Sequence, residues 1–173
     1  MRTKQLTILA IASYSKGFGV AVFSNSNLLH FAVCKYYDRR FDVEEDLRHA
    51  TELIDEFMPT IILVKALTAR QLRAKRQIHI LDGIKRVAGR MAISFTEVDL
   101  DNAKQALLKD RDSTLGALFT KVGGSFPEVS RMASFQNRSQ REYYTPLLSA
   151  VAIGASFKIP RGFNKRRSRA IRN

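Results

Sequence analysis

The side chains most able to carry chemistry in this sequence are cationic, and they are concentrated in its second part. Residues 1–64 hold 7 basic and 8 acidic side chains, whereas residues 65–173 hold 22 basic and 8 acidic ones. One cluster lies in a helix-like stretch and consists of Arg70, Arg73, Lys75 and Arg76. The other lies near the C-terminus and consists of Lys165, Arg166, Arg167 and Arg169. Because lysine and arginine at this density neutralise phosphates, nucleic acid is the expected partner.

A second group combines arginine with aromatic rings. Residues 131–144 interleave the two types and include Arg138, Arg141, Tyr143 and Tyr144. Aromatic rings can stack on exposed bases beside a cationic groove, although the same rings could instead face the protein core. We predict that Arg138 and Arg141 contact nucleic acid, as does Lys16 from an early turn.

Acidic side chains that could hold a metal ion are few. Glu97, Asp99 and Asp101 alternate along the chain, and Glu142 precedes the last apolar stretch. In an extended segment the first three would share one face and could offer oxygen ligands to Mg²⁺. The other interpretation, which we favour, is that Asp99 or Asp101 caps the helix that follows.

Composition limits the class of protein. The chain has 173 residues and a net charge of +13. Its length indicates one domain, and its 45% of hydrophobic residues indicates a folded chain and not a disordered one. No apolar stretch is long enough to span a bilayer, and the first apolar run lacks a cleavage site. We therefore expect a cytoplasmic protein with no membrane partner. The single cysteine, Cys34, rules out an internal disulfide framework.

Hydrophobic patterns predict the elements that position these side chains. Apolar runs indicate strands over residues 6–12, 18–23, 28–36, 60–64 and 92–98. Helical spacing indicates helices over residues 43–57, 67–90, 101–109, 113–122 and 145–157, with a polar loop over 124–141. This order predicts an α/β, ribonuclease H-like fold, in which three antiparallel strands and then parallel crossovers form a mixed five-stranded sheet flanked by helices. Residues 1–157 would be the domain and residues 158–173 a basic C-terminal tail.

The sequence resembles the RuvC-like nucleases, a branch of that fold that includes Holliday-junction resolvases. Residues 8–22 are similar to the family's first hairpin and residues 59–65 to its fourth strand. Residues 125–128 and 149–155 are similar to a segment before the last helix and to the last helix itself. The resemblance implies cleavage of DNA through two Mg²⁺ ions held by acidic side chains.

The acids that this resemblance requires are missing from the chain. Where the family has an Asp on the first strand, a Glu on the fourth and an Asp in the last helix, this chain has Ala12, Lys65 and Ser149. A further family Asp falls near Pro146. A lysine would repel divalent ions but attract a phosphate. We therefore predict a nucleic-acid-binding protein with no catalytic residues, no metal and no cofactor, in which Lys65 contacts the backbone.

Two alternatives remain open. The first is an active Mg²⁺-dependent endonuclease, or Holliday-junction resolvase, whose acids have moved to Glu97, Asp99, Asp101 and Glu142. The second is a protein-interaction module that docks through its basic tail. DNA is expected in preference to RNA, and the resemblance also implies a homodimer or pairing with an active nuclease.

Overall fold

The computed structural model describes residues 6–15, 17–35, 43–69 and 75–157. Its five strands form one sheet in the order β3-β2-β1-β4-β5. The strands are β1 (Thr7–Tyr14), β2 (Gly17–Ser24), β3 (Asn27–Lys35), β4 (Ile61–Lys65) and β5 (Ser94–Val98). Strand β2 is antiparallel to both β1 and β3, whereas β4 is parallel to both β1 and β5. The predicted mixed sheet of antiparallel strands followed by parallel crossovers is confirmed.

Helices cover both faces of the sheet, and each face has its own apolar core. Helices α1 (Val43–Phe57) and α2 (Lys75–Arg90) pack on one face, against residues such as Ile11 and Val64. The other face is covered by α3 (Leu100–Leu108), α4 (Leu115–Ser125), α5 (Ser130–Ala133) and α6 (Arg138–Ser156). Among the described residues, no helix is both long and apolar enough to cross a membrane.

The predicted loop over residues 124–141 is wrong, because most of it is helical. Helix α4 continues to Ser125, a single 3₁₀ turn and α5 follow, and α6 begins at Arg138, seven positions before the predicted start. Asn137 caps α6 by accepting a hydrogen bond from the Gln140 backbone N–H at 2.9 Å. The first turns of α6 are polar because they face solvent, so they lack the apolar spacing by which a helix is recognised.

The predicted helix over residues 67–90 also begins too early. The described residues 66–69 are not helical, and α2 begins at Lys75. Residues 70–74 lie outside the described part of the chain.

Helix α6 lies at the centre of the domain and approaches the sheet very closely. Residues 146–154 of this helix are all buried. A Cβ atom on Gly19 of β2 would collide with the backbone of Pro146 and Leu147. Only a glycine permits this spacing. The contact therefore fixes the first half of α6 against the ends of β1 and β2.

Candidate functional site

The structure brings Ala12, Lys65 and Ser149 together at one end of the sheet. Ile11 of β1 pairs with Val64 of β4, so Ala12 and Lys65 are the next residues along these two parallel strands. Alternation along each strand places them on the face covered by α6, where Ser149 is fully buried. Their convergence follows from the parallel register and from the position of α6.

Tyr14 links this end of β1 to α6. Two positions beyond Ala12, it lies on the same face of the sheet, and its hydroxyl lies 2.8 Å from the Ser149 Oγ. Burial raises the pKa of the Tyr14 phenol, and the hydrogen bond with Ser149 acts in the opposite direction. Tyr14 therefore stays neutral at physiological pH and can donate its proton to this bond. Tyr14 was not among the residues predicted to have a role, although its period-two spacing from Ala10 and Ala12 places it on this face.

Lys65 is buried beside Tyr14. The residue is 2% exposed, and its Nζ lies 4.8 Å from the centroid of the Tyr14 ring. The ammonium also donates a hydrogen bond to the Ala66 carbonyl at 3.2 Å. Burial lowers the pKa of Lys65 to about 8, while the negative charge of Asp99 works in the opposite direction. The prediction that Lys65 contacts a backbone phosphate does not fit this burial, because the ammonium contacts protein groups.

The side chains at this end of the sheet do not fit a pair of divalent metal ions. Ala12 offers no ligand, the Ser149 hydroxyl is bound to Tyr14, and Lys65 carries a positive charge. Mg²⁺ requires several oxygen ligands and is repelled by an adjacent ammonium. Within the described ranges, no group of three or more His, Cys, Asp or Glu side chains is placed to hold a metal ion.

Most of the acids considered as replacement metal ligands interact with neighbouring groups on their own helices. Asp99 caps α3 and accepts a hydrogen bond from the Asp101 backbone N–H at 2.9 Å, which confirms the capping interpretation. Asp101 pairs with Lys104 at 2.9 Å, and this contact lowers the pKa of Asp101. Glu142 accepts a hydrogen bond from Arg138 at 3.1 Å. Three of the four acids thus serve a helix cap and local ion pairs, and the fourth, Glu97, is exposed on the edge strand β5.

The predicted nucleic-acid contacts fall into three groups. Arg138 and Arg141 are exposed on the first turns of α6, and Lys75 is exposed at the start of α2. Arg76 is only half-buried, but its Nε and Nη1 atoms are shielded from solvent. The remaining predicted contacts lie outside the described residues: Lys16, Arg70, Arg73, Lys165, Arg166, Arg167 and Arg169.

The aromatic side chains of residues 131–144 separate into core and surface groups. Phe135 packs edge-on against the buried Phe119, and Tyr144 packs on the same apolar core. Tyr143 instead lines a cleft of about 720 Å³ between the first two turns of α6 and the turn that joins β1 to β2. Tyr14 and Arg138 also line this cleft. Of the predicted stacking residues, Tyr143 is thus the one placed to meet a ligand there.

Known structures share this arrangement of sheet and helices. The chain superposes on Thermus thermophilus RuvC with a TM-score of 0.67 and 18% sequence identity, over 94% of this chain and 97% of that one. Its fold is that of RuvC. The RuvC-like, ribonuclease H-like fold predicted from the sequence is therefore confirmed.

Two further structures show the same RuvC fold. Thermus thermophilus RuvC in complex with a Holliday junction substrate gives a TM-score of 0.68 at 17% identity, over 94% of this chain and 96% of that one. The yeast mitochondrial Holliday junction resolvase gives a TM-score of 0.51 at 12% identity, over 86% and 76%. No protein-family model and no curated protein sequence matches the chain.

Proposed function

We propose that this chain is a nucleic-acid-binding protein with the RuvC fold that does not cleave its partner through metal ions. The observation that carries the proposal is the buried ammonium of Lys65 beside the Tyr14 ring and the Ser149 hydroxyl. In the RuvC-like nucleases this end of the sheet is expected to hold metal ions between carboxylates. Here the described residues place the ammonium of Lys65 at this end and bring no group of three or more carboxylates to it.

Electrostatics support the absence of metal-dependent cleavage. Two unit charges 4 Å apart interact by about 4 kcal/mol at an effective dielectric constant of about 20, and a divalent ion doubles that energy. At that separation the Lys65 ammonium would oppose a Mg²⁺ ion by about that amount, and Asp99, the acid whose charge acts on Lys65, is engaged as the cap of α3. The ammonium instead lies against the Tyr14 ring and donates a hydrogen bond to the Ala66 carbonyl.

Charge and fold together support nucleic-acid binding. A net charge of +13 attracts polyanions over long distances, and RuvC of this fold has been solved with a Holliday junction. Arg138 lines the cleft and Arg141 is exposed on the same turns of α6, so phosphates can reach both side chains. Binding through such contacts depends strongly on salt and does not require Mg²⁺.

The test is to measure junction binding and junction cleavage separately. Fluorescence anisotropy with a labelled four-way DNA junction, in EDTA and low salt, should show saturable binding that weakens steeply as salt rises. Adding Mg²⁺ or Mn²⁺ should leave the strands intact on a denaturing gel, with the yeast mitochondrial resolvase as the cleaving control. Metal-dependent cutting would overturn the cleavage half of the proposal, and loss of that cutting in Asp99→Ala or Glu142→Ala would support relocated acids.

The same titration tests the protein-interaction alternative. A module that docks its basic tail on an acidic protein would bind the junction no better than a simple polyanion such as heparin. Equal affinity for heparin and the junction at matched salt would therefore contradict a nucleic-acid function.

A further inference from the structure

Two exposed apolar side chains lie at one corner of the domain. Among the described residues, Leu29 and Met58 are the large apolar side chains left in solvent, at 56% and 67% exposure. Their neighbours in the chain, His30 and Phe57, are in contact, with ring centroids 5.3 Å apart. Leu29 of β3 and Met58 at the end of α1 are therefore each one residue from the same contact, and we call them the corner patch.

The backbone is irregular at both residues of the corner patch. In the pairing of β3 with β2, Leu28 and His30 each have a partner residue and Leu29 between them has none, so Leu29 is the extra residue of a β-bulge. Met58 has a φ of 43°, in the left-handed region that favours glycine. Both irregularities present an apolar side chain to water, and a partner that buries these side chains would stabilise the arrangement.

The last turn of α1, next to Met58, is acidic. Asp55 and Glu56 are exposed in this turn, which contains no basic side chain. Within the described part of the chain, the ion pairs of α1 lie further back, on Arg48, His49 and glutamates of the preceding turns. Because the C-terminus of a helix carries a partial negative charge, the two carboxylates add to a negative potential that a cation would relieve.

The partner that fits an apolar patch beside two carboxylates is a segment that combines cations with apolar side chains. The basic tail, residues 158–173, has this composition, with seven basic side chains, no acid, and the apolar side chains of Ile159 and Phe163. The tail lies outside the described residues. Its charge is complementary to the last turn of α1, and its apolar side chains match the corner patch.

The basic tail also begins near the corner patch. Gly154 of α6 packs against the Phe23 ring of β2, and Phe23 pairs with Leu28, the residue before Leu29. The 16 residues of the tail can span about 50 Å when extended, whereas five strands side by side occupy about 20 Å. No described strand lies beyond β3, so the tail can pass this edge from the α6 face to the α1 face.

We propose that residues 158–173 fold back past the edge of β3 and dock on the corner patch of their own domain. Phe163 covers the two exposed apolar side chains, and the arginines lie beside the carboxylates of α1. The inference concerns the chain alone and does not depend on the proposed function. Salt screens the attraction, and a polyanion that binds the tail displaces it from the patch.

The experiment places a photo-cross-linker in the basic tail of the full chain. Phe163→p-benzoylphenylalanine retains an aromatic ring, and the products formed in dilute protein at low salt are separated by size and mapped by mass spectrometry. We expect cross-links within one chain to Leu29 and Met58, reduced about fivefold by 0.5 M salt or by excess heparin. Cross-links spread evenly over the domain, or none, would overturn the inference. Cross-linked dimers as the main product would assign the patch to the tail of a second copy and overturn docking within one chain.

Met58→Gly separates docking from a structural role. Glycine suits the left-handed conformation, so the thermal unfolding temperature should stay the same or rise. Cross-linking to the β3 segment around Leu29 should nevertheless fall about fivefold, because half of the corner patch is removed. Unchanged cross-linking to this segment in the folded variant would show that the tail does not use the patch.

A pair of double variants on α1 tests the role of charge. Asp55→Asn with Glu56→Gln should lower the cross-linking about threefold, since the carboxylates beside the patch are gone. Glu44→Gln with Glu45→Gln is the matched control, because it removes the same charge from exposed positions at the other end of the same helix. Equal losses in both would mean that the tail is attracted to α1 as a whole, and the corner patch would then not be its site.

Discussion

The hydroxyls of Tyr14 and Ser149 lie 2.8 Å apart although 135 positions separate them in the chain. The first residue ends β1 and the second lies in the buried centre of α6, so the bond joins the beginning of the domain to its end. Lys65 lies over the same tyrosine ring, and one aromatic side chain therefore contacts two of the positions that replace expected carboxylates. The arrangement is a packed polar cluster whose members depend on one another.

Removal of the Tyr14 or the Ser149 hydroxyl should destabilise the fold, because each hydroxyl is the hydrogen-bond partner of the other. Tyr14→Phe and Ser149→Ala should each lower the free energy of unfolding by about 1–2 kcal/mol, because each leaves a buried hydroxyl without its partner. The double variant should lose less than the sum, with a coupling of about 1 kcal/mol. Urea denaturation gives these values, and Ser139→Ala, on the exposed part of α6, is the control with a change below about 0.5 kcal/mol. Strictly additive losses would contradict a coupled pair.

Stability should depend on pH through Lys65. The pKa of this lysine is about 8 in the folded protein and 10.5 for an ordinary lysine, so the unfolded chain binds more protons between these values. Stability from this group therefore rises as pH increases from 8 towards 10, and below pH 8 the buried charge is destabilising. Above pH 10 the raised pKa of Tyr14 has the opposite effect, because the unfolded tyrosine ionises first.

The Lys65→Met variant isolates the contribution of the Lys65 charge to the free energy of unfolding. The variant removes the titrating group and retains much of its volume, so its stability advantage over wild type should be largest at pH 7 and shrink by pH 10. Urea denaturation of both proteins at several pH values provides the comparison. A difference that stays constant with pH would show that Lys65 reaches water in the folded protein.

Asp99 should behave as a helix cap. Asp99→Ala should lower the free energy of unfolding by about 1 kcal/mol, because the Asp101 backbone N–H loses its acceptor. Asp99→Asn retains a capping oxygen and should stay within about 0.5 kcal/mol of wild type. Both are measured with and without Mg²⁺. Stabilisation by Mg²⁺ in wild type alone would indicate a metal-binding role instead.

Substitution by alanine should have opposite effects on stability at two glycine positions. Gly19→Ala places a methyl group against the α6 backbone and should cost about 3 kcal/mol or more, since the backbone cannot yield as a flexible side chain does. Gly89→Ala, on an exposed part of α2 with open space around it, should stabilise the chain by about 0.5–1 kcal/mol. Thermal unfolding of the two variants distinguishes them, and a mild effect at Gly19 would mean that α6 can shift away from the sheet.

Arg141 should contribute to nucleic-acid binding through charge alone. Arg141→Ala should weaken junction binding and reduce the slope of log affinity against log salt by about one, because one phosphate contact is lost. Arg90→Ala is the matched control, since this arginine is exposed at the end of α2 on the opposite face of the sheet. Equal effects of the two variants would mean that net charge matters and that the face of the domain does not.

The sequence by itself determined the kind and order of the elements from β1 to α4, but it missed α5 and the first turns of α6. Strands such as β1 and β4 consist of consecutive apolar residues, and α1 shows its apolar face at helical spacing, so local patterns identify them. These elements in this order permit few topologies, and the mixed sheet follows. The capping role of Asp99 was likewise visible, because a cap depends only on residues a few positions away.

Only the tertiary structure decided what surrounds each side chain. A lysine beside an expected metal site looks like a phosphate ligand in the sequence, yet the packing of α6 over β1 and β4 buries Lys65 against Tyr14. The same packing directs Tyr144 to the core and Tyr143 to the cleft, although the two are adjacent in the chain. Burial depends on contacts between residues far apart in the chain, and local sequence patterns do not contain that information.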